Sequence, residues 1–422
     1  MKLTENTKKF DRLLLILGLV VLVVGFLFAL SSKGITLQKD KVLVFTQWWD
    51  DELEEGTLPS LIAEFEAQHP DITIKLDNRS YEEIRDALRT GEDSALNANI
   101  IGLDPLWFDD LIRREVLEPL DGYSKPEENS VTPDTENGYE KYGLPLISFI
   151  SPLFYNIELL RDAGFDRPPK SRAELLACAR AVTDKASGKY GLALALGSEN
   201  PLGIYRDIFS WIWASGPSLI REGKPDFSAP GITGAMVFLK QLREEELLLP
   251  GTFTMTETEK REDFIRGRTA MMIGSVADIY TLQERMGETS FGITVIPGES
   301  PLGGKPIMGL TSWYLGIPRG SARKDEAWAF LSYLQERGSF IAEKAHAVPG
   351  SRNSVIDFNT RDPLFAKAYD MYAAGETVQE FAGVSGVDEL EAIVRDQVYA
   401  LFEKDQSPEE TAKGIQRRWE EL

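Results

Sequence analysis

The sequence has little of the side-chain chemistry on which many hydrolases and metalloenzymes depend. It contains one cysteine, Cys178, and two histidines, His69 and His346. One cysteine cannot form an intramolecular disulfide, and two distant histidines leave almost nothing for a histidine-based triad or a histidine-rich metal cluster. The sequence therefore predicts neither a metal nor a cofactor. Among the hydrolases considered, only those whose catalytic groups are carboxylates remain possible.

Basic residues are scarce relative to acidic ones. The chain has 46 lysines and arginines against 67 aspartates and glutamates, which gives a formal net charge of -21. Nucleic acids and anionic membrane surfaces bind proteins through clustered lysine and arginine, so the balance argues against both as partners. The chain is otherwise an ordinary folded protein, with 43% hydrophobic and 27% charged residues. Its length of 422 residues favours two lobes or domains.

A long apolar run stands near the N-terminus. Residues 13–30, LLLILGLVVLVVGFLFAL, carry no charge and follow Lys8, Lys9 and Arg12. Their length lies between that of a secretory signal, roughly 7–15 apolar residues, and that of a spanning helix, roughly 17–25. The segment predicts a signal peptide or an uncleaved signal anchor, and we favour the anchor, with its basic end inside. In both cases the chain beyond about Ser31 is exported to the periplasm or the outer face of the cytoplasmic membrane.

Strand and helix signals alternate after this segment. The runs KVLVF and ANIIGLD predict buried strands, and ITIKL predicts a strand with alternating apolar and polar residues. The segments LPSLIAEFEAQHP, EEIRDALRTG and LWFDDLIRREVL predict helices. Serine with glutamate three positions later predicts capping boxes at Ser80, Ser171 and Ser407. This alternation indicates an α/β fold with a mostly parallel sheet covered on both faces. In such sheets, ligands bind beyond the carboxyl ends of the strands.

Side chains suited to a polar ligand stand at these strand ends. Gln47, Trp48, Trp49 and Asp50 end the first strand, and Asp104 follows ANIIGL. Indole faces stack on the C–H faces of sugars, and carboxylates accept hydrogen bonds from neighbouring hydroxyls. Adjacent residues on a strand point to opposite faces, so either tryptophan alone could pack under a helix, and we expect at least one to line a cleft. The alternative for Asp104 is the N-cap of the next helix.

Three longer segments follow: YGLPLISFISPLFYNIELLRDAGFDRPPKSRAELLACARAVTD, FIRGRTAMMIGS and GKPIMGLTSWYLGIPRGSARKDEAWAFLSYLQERG. In their order and spacing they resemble the family-1 extracellular solute-binding proteins of bacterial ABC importers. The carbohydrate-binding members related to maltodextrin-binding protein are most similar. The resemblance extends from about Lys41 to the C-terminus.

The resemblance implies a fold and a division of the chain. The fold is that of a type II periplasmic binding protein, with two α/β lobes around a ligand cleft, preceded here by the N-terminal signal or transmembrane helix. The family pattern places crossings between the lobes near residues 147–154, 309–313 and 348–352. Lobe 1 then holds residues 41–147 plus 312–347, and lobe 2 holds residues 148–311 plus 348–422.

The resemblance also implies a function without chemistry. The protein is expected to bind a sugar or oligosaccharide and deliver it, as a monomer, to the transmembrane subunits of an ABC permease. The N-terminal segment is expected to contact the membrane. Two alternatives are a carbohydrate-active enzyme that uses carboxylates around Asp50 and Asp104, and a solute sensor with the same fold. Monosaccharides, oligosaccharides, glycerol phosphate and sugar acids all remain open as ligands.

The family pattern adds candidate ligand-binding residues at the crossings, at the start of the aromatic helix IYRDIFSWIWASG and after the strand AMMI. They are Phe149, Tyr205, Arg206, Phe209, Gly274, Ser275, Thr311, Ser312, Trp313 and Arg352. Trp313 is expected to be a second stacking platform, whereas Trp211 and Trp213 are expected in the core.

Two departures from the family pattern affect the predicted ligand. Ala98-Asn99 stands where the family commonly has Pro-Asp before the ligand-facing aspartate. Phe149 stands where maltodextrin-binding relatives carry a glutamate that contacts sugar. Maltodextrin itself is therefore not the expected ligand.

Overall fold

The computed structural model describes residues 41–49, 53–90, 97–123, 141–197, 203–216, 218–221, 224–299, 307–350, 362–381, 384 and 386–421. None of the helices in these ranges combines the length and the apolar character that a bilayer span requires. The predicted signal or anchor segment 13–30 and two candidate site residues, Asp50 and Arg352, lie outside the described residues.

The strands occupy both halves of the chain. In chain order they are β1 (Lys41–Gln47), β2 (Ile72–Asn78), β3 (Ile100–Leu103), β4 (Leu144–Ile150), β5 (Leu153–Asn156), β6 (Tyr190–Ala193), β7 (Ile220–Arg221), β8 (Lys224–Pro225), β9 (Thr269–Ile273), β10 (Phe291–Thr294), β11 (Ile307–Gly316), β12 (Val348–Pro349) and β13 (Glu376–Val378).

The helices connect and cover these strands. They are α1 (Thr57–Gln68), α2 (Tyr81–Thr90), α3 (Phe108–Arg113), α4 (Ile157–Asp162), α5 (Arg172–Val182), α6 (Ser210–Trp213), α7 (Pro230–Glu244), α8 (Glu257–Ile265), α9 (Asp278–Met286), α10 (Lys324–Glu336), α11 (Gly338–Lys344), α12 (Pro363–Ala374), α13 (Val387–Glu403) and α14 (Pro408–Glu420). A π-helical turn spans Tyr205–Phe209 before α6, and 3-10 turns span Pro105–Trp107 and Lys185–Ser187.

Two main sheets organise these elements. The larger sheet has the order β12-β4-β11-β3-β1-β2, with β13 joined to β11. In it, β1 is parallel to β2 and β3, whereas β11 is antiparallel to β3 and β4. The smaller sheet has the order β10-β5-β9-β6, with only β6 and β9 parallel. The predicted α/β class is confirmed, but the sheets are mixed, because the returning strands β4, β5 and β11 run against their neighbours.

The chain passes from one sheet to the other over a very short distance. β4 belongs to the larger sheet and β5 to the smaller, so Ser151-Pro152 connects them directly. Residues 149–150 and 310–311, which the family pattern assigns to lobe 2, pair with each other in the larger sheet, and Ser148 pairs with Ser312. Every residue of β4 and of β9 is buried, so both sheets are covered on two faces.

Helix starts follow the sequence closely, with one informative exception. The capping boxes predicted at the starts of α2 and α14 are confirmed. At α5 the box is half formed: the Ser171 hydroxyl accepts from the Glu174 N–H, but the Glu174 carboxylate accepts from the Lys170 N–H at 2.9 Å instead. Arg167 holds that carboxylate, with a 2.7 Å contact from its guanidinium, and so draws it away from Ser171.

Candidate functional site

A cleft opens where the end of β3, the middle of β11, the π-helical turn and the segment after β13 converge. Its main space measures about 380 Å³ with its solvent-open mouth and is lined in part by Asp104, Tyr205, Thr311, Gln379 and Glu380. An adjoining space of about 280 Å³ shares some of these walls and adds Ser151 and Arg206. We call the two spaces together the central cleft. Its walls come from strands of the larger sheet and the segments that follow them, from the π-helical turn and α6, and from Ser151 in the connection between the sheets.

A larger recess lies elsewhere, between α7 and α13. It measures about 900 Å³ with its open mouth, and Phe253 and Tyr399 are among its lining residues. Charges at its rim pair with each other, as Arg243 does with Glu403 at 2.9 Å. The central cleft differs in holding a buried polar side chain that has no hydrogen-bond partner among the residues that the structure describes, so the cleft is the stronger candidate site.

Asp104 forms part of the wall on the side of the larger sheet. Its Oδ1 accepts from the backbone N–H of Leu106 at 2.8 Å, which makes it the N-cap of the 3-10 turn that follows β3. The Tyr81 hydroxyl lies 3.4 Å from its Oδ2. The N-cap alternative for Asp104 is therefore observed, and its ligand role stays a prediction that the cap leaves open, because one carboxylate can accept several hydrogen bonds.

The two tryptophans after β1 point to different environments, as alternation along a strand predicts. Trp49 is fully buried and stacks on Trp313, with ring centroids 4.8 Å apart and planes within 6°. Phe149 meets Trp313 edge-on at 5.2 Å. These three rings therefore cover one another behind the cleft. Trp313 was expected to be a stacking platform, but here one face of its indole is occupied by Trp49.

Trp48 keeps part of its surface exposed and belongs to a second aromatic group. Its ring lies 5.3 Å from those of Tyr81 and Trp107. Tyr81 in turn contacts Asp104, so this group stands next to the cleft wall. Trp48 is the member of the doublet that remains a candidate for ligand contact.

On the opposite wall, Tyr205, Phe209 and Trp213 form a continuous aromatic row. Neighbouring rings in it lie 5.4 and 5.8 Å apart, and Phe381 contacts all three. The three rings therefore share one face of the aromatic helix IYRDIFSWIWASG, which begins with a π-helical turn, a feature that often marks functional sites. Trp213 was expected to be purely a core residue. It is buried, yet it lines the cleft, and its Nε1 donates to Glu380 at 2.7 Å.

Arg206 lines the adjoining space and is held by a carboxylate. Its guanidinium lies 3.0 Å from Glu257, and its Nε lies 3.5 Å from the Ser151 hydroxyl in the connection between the sheets. Burial alone would lower the pKa of Arg206, but the nearby carboxylates of Glu257 and Asp278 raise it above the ordinary arginine value. Arg206 therefore stays charged.

A buried ion pair supports this wall from behind. The Lys260 ammonium lies 2.8 and 3.0 Å from the two carboxylate oxygens of Asp207, and neither side chain is more than 1% exposed. Asp207 also accepts from the Ala195 N–H at 2.6 Å, and Lys260 reaches Glu257 at 3.1 Å. Sequence reasoning missed this network, because nothing local links residues 207 and 260.

Most of the remaining candidates occupy structural positions. Gln47 is fully buried and bonds to Asn78 and to the Trp49 N–H. The Gly274 N–H donates to the Pro152 carbonyl, and the Ser275 N–H donates to the Asp278 carboxylate at 2.8 Å. Of the candidates on β11, Thr311 lines the cleft, whereas Ser312 is buried.

The hydroxyls of Ser148 and Ser312 lie 2.8 Å apart and tie β4 to β11 in the interior. We expect Ser148→Ala to lower the free energy of unfolding by about 1–3 kcal/mol, because the Ser312 hydroxyl then stays buried without this partner. The double variant Ser148→Ala/Ser312→Ala removes both groups and should be the less destabilised of the two. Urea denaturation followed by circular dichroism measures both. A double variant that loses more than the single one contradicts the pairing.

The segment after β13 contributes residues that sequence reasoning overlooked. β13 runs parallel to the start of β11 and brings Gln379, Glu380 and Phe381 to the cleft. Glu380 accepts from Trp213 and from the Leu219 N–H, and burial raises its pKa above the ordinary glutamate value. The sequence did contain a signal for these residues. Gln379, Glu380 and Phe381 place an amide, a carboxylate and an aromatic ring in succession, as the candidate residues around the end of β1 do.

Gln379 is the most informative of these residues. Both polar atoms of its amide are buried, and neither has a hydrogen-bond partner in the described part of the chain. A buried amide without a partner costs free energy, so such groups call for an explanation. A polar ligand in the cleft supplies one. Clusters of three His, Cys, Asp or Glu side chains able to hold a metal do not occur among the described residues.

The family of this chain follows from a direct match. A family model described as bacterial extracellular solute-binding protein matches residues 49–339, well over half of the sequence. The chain belongs to this family. A curated relative of this solute-binding protein, a binding protein of Brucella abortus, is 26% identical over 280 residues and covers 65% of this chain and 67% of its own length.

Solved structures show the fold of this solute-binding protein. An ABC transporter solute-binding protein from Thermotoga lettingae, bound with α-D-tagatose, has a TM-score of 0.73 at 21% identity and covers 90% of this chain and 99% of its own. The cyclic α-maltosyl-1,6-maltose binding protein from Arthrobacter globiformis has a TM-score of 0.75 at 16% identity, with coverage of 89% and 97%. These likenesses confirm the predicted two-lobed periplasmic-binding-protein fold.

Proposed function

We propose that this solute-binding protein binds a sugar or oligosaccharide in the central cleft and delivers it to the transmembrane subunits of an ABC importer. The observation that carries the proposal is the buried amide of Gln379, which has no hydrogen-bond partner within the described ranges and lines the same space as the rings of Tyr205 and Phe381. Sugars require this combination, because their C–H faces pack on rings while their hydroxyls need donors and acceptors. Tagatose in the Thermotoga lettingae structure and the cyclic maltosyl-maltose named for the Arthrobacter globiformis protein support this choice.

Binding is proposed to proceed by closure of two lobes about the connections between the sheets. The main space measures about 380 Å³ only when its solvent-open mouth is counted. In this proposal a sugar enters when the walls separate, and closure brings Asp104 and Glu380 onto it. The ligand shifts this equilibrium by its differential affinity for the two states. Tethering through residues 13–30 and a monomeric state belong to the same proposal.

A thermal-shift screen tests the ligand class. Saccharides, amino acids, polyamines and metal salts are added separately to the purified protein. A saccharide at 100 times its dissociation constant should add roughly 2.7 kcal/mol of stability and raise Tm. Recovery of that saccharide intact by chromatography supports binding without catalysis, whereas its hydrolysis supports the carboxylate enzyme. A shift from amino acids, polyamines or metals alone contradicts the proposal.

Gln379→Leu should separate stability from binding. Leucine has a similar size and removes the buried amide, so the unliganded protein should gain about 1 kcal/mol in the free energy of unfolding. Saccharide affinity should fall about tenfold or more, because hydroxyls lose a partner in the cleft. The measurements are urea denaturation and titration calorimetry with a saccharide found in the screen. Loss of stability together with unchanged affinity contradicts the assigned role.

A further inference from the structure

Acidic groups outnumber basic groups around the central cleft. Among the described residues that line it, Asp104 and Glu380 carry carboxylates and Arg206 carries the single guanidinium. The charge of Arg206 is already matched by Glu257 at 3.0 Å. Behind the wall, Lys260 and Asp207 balance each other. Among the described residues, the lining of the cleft therefore carries more acidic than basic side chains.

Glu380 is held by neutral donors. The Trp213 indole donates to it at 2.7 Å, and the backbone N–H of Leu219 donates to it at 2.9 Å. Neutral donors orient a carboxylate without cancelling its charge. Glu380 therefore stands mostly buried at the cleft wall without a cation against it in the described part of the chain.

A ligand carboxylate or phosphate would face this charge at short range. Like charges repel strongly where water is excluded, and Arg206 could pair with such a group only by giving up Glu257. A ligand ammonium has the opposite charge and three donors, and carboxylates accept charge-assisted hydrogen bonds from it. The amide of Gln379 can serve hydroxyls in either case, because it both donates and accepts.

We propose that the central cleft selects saccharides by charge: it binds amine-bearing saccharides more tightly than their neutral counterparts and rejects acidic ones. The inference rests on the proposed function and narrows its ligand class. It removes sugar acids and glycerol phosphate from the ligands that the sequence left open.

Titration calorimetry with matched ligands tests the inference. The probes are glucose, glucosamine and glucuronate, the corresponding galactose set, and disaccharides of each charge type, all titrated into the full chain at pH 7. In any set that binds, the amine should bind at least about tenfold more tightly than the neutral sugar, and the acid at least about tenfold more weakly. Equal affinities, or an acid that binds as well as its neutral counterpart, overturn the charge selection while saccharide binding stands. Failure of every probe to bind overturns both proposals.

Variants that remove the charge of one carboxylate identify the residues responsible for the preference for amine-bearing saccharides. Glu380→Gln keeps an acceptor for the Trp213 indole and should reduce the preference for the amine over the neutral sugar by about tenfold. Asp104→Asn provides an independent test from the opposite wall. Glu389→Gln, exposed on α13, is the matched control and should keep the full preference. An amine preference that survives in both cleft variants overturns the assignment to these carboxylates.

Discussion

Lys260→Met is expected to lower the free energy of unfolding by about 3–5 kcal/mol at pH 7. The substitution leaves the Asp207 carboxylate buried without its ammonium partner, and an uncompensated buried charge is among the most destabilising changes in a protein interior. Methionine fits the space of the lysine stem, so lost packing contributes little. Urea denaturation followed by circular dichroism measures the loss.

The double variant Lys260→Met/Asp207→Asn is the matched control. Asparagine keeps an oxygen that can accept from the Ala195 N–H while removing the charge. Since neutral replacements for both members of a buried ion pair are often tolerated, most of the lost stability should return. A double variant as unstable as the single one shows that the charge of Asp207 is not the cause.

The loss in the free energy of unfolding that Lys260→Met causes should depend on pH. Burial raises the pKa of Asp207 to about 6 in the native protein, although Lys260 lowers it, and removing the ammonium raises it further. Because the folded pKa exceeds the unfolded one, the variant is most stable below both values and loses stability as pH rises through the folded value. The difference from the native protein should therefore be smaller at pH 5 than at pH 8. A larger deficit at pH 5 contradicts this account.

Trp49→Ala is the second change with a large expected effect, a loss of about 3–5 kcal/mol in the free energy of unfolding. Trp49 is fully buried, and its removal leaves a cavity against Trp313 and Phe45. Trp48→Ala should cost about 1 kcal/mol, because that ring is partly exposed. Chemical denaturation monitored by circular dichroism compares the two. Equal costs contradict the division of the doublet into a core ring and a cleft-side ring.

Trp49→Phe refines the comparison. Phenylalanine keeps a ring against Trp313, and it removes an indole N–H that is buried without a partner in the described part of the chain. Its cost should be less than half that of Trp49→Ala. A saccharide titration of all three variants then separates packing from ligand contact, and only Trp48→Ala should weaken binding while the fold is kept.

The sequence predicted the features that depend on neighbouring residues. Alternating apolar runs located β1, β2 and β3, and serine–glutamate spacing located the starts of α2 and α14. Asp104 was identified as a candidate because the end of a strand can be recognised from a few neighbouring residues. The capping box predicted at α5 forms only in part, because Arg167 competes with the Ser171 backbone for the Glu174 carboxylate.

Features that depend on distant partners could not be predicted. The stack of Trp49 on Trp313 exists because β1 and β11 lie in the same sheet, which no local pattern records. β13 has three residues, too few for a periodic signal, and its place beside β11 is set by the fold. The residues that complete the cleft after β13 were missed for that reason.

Successive residues of β11 have distinct tasks: Thr311 faces the cleft, Ser312 bonds across to β4, and Trp313 packs in the interior. A substitution on this part of β11 that changes contacts in the cleft is therefore expected also to disturb the packing of the larger sheet. β13 is attached to β11 through only three residue pairs, and the residues after it line the cleft. New specificities should accordingly arise at Gln379, whose amide makes no hydrogen bond in the described part of the chain, whereas Glu380 and Phe381 are held by their neighbours.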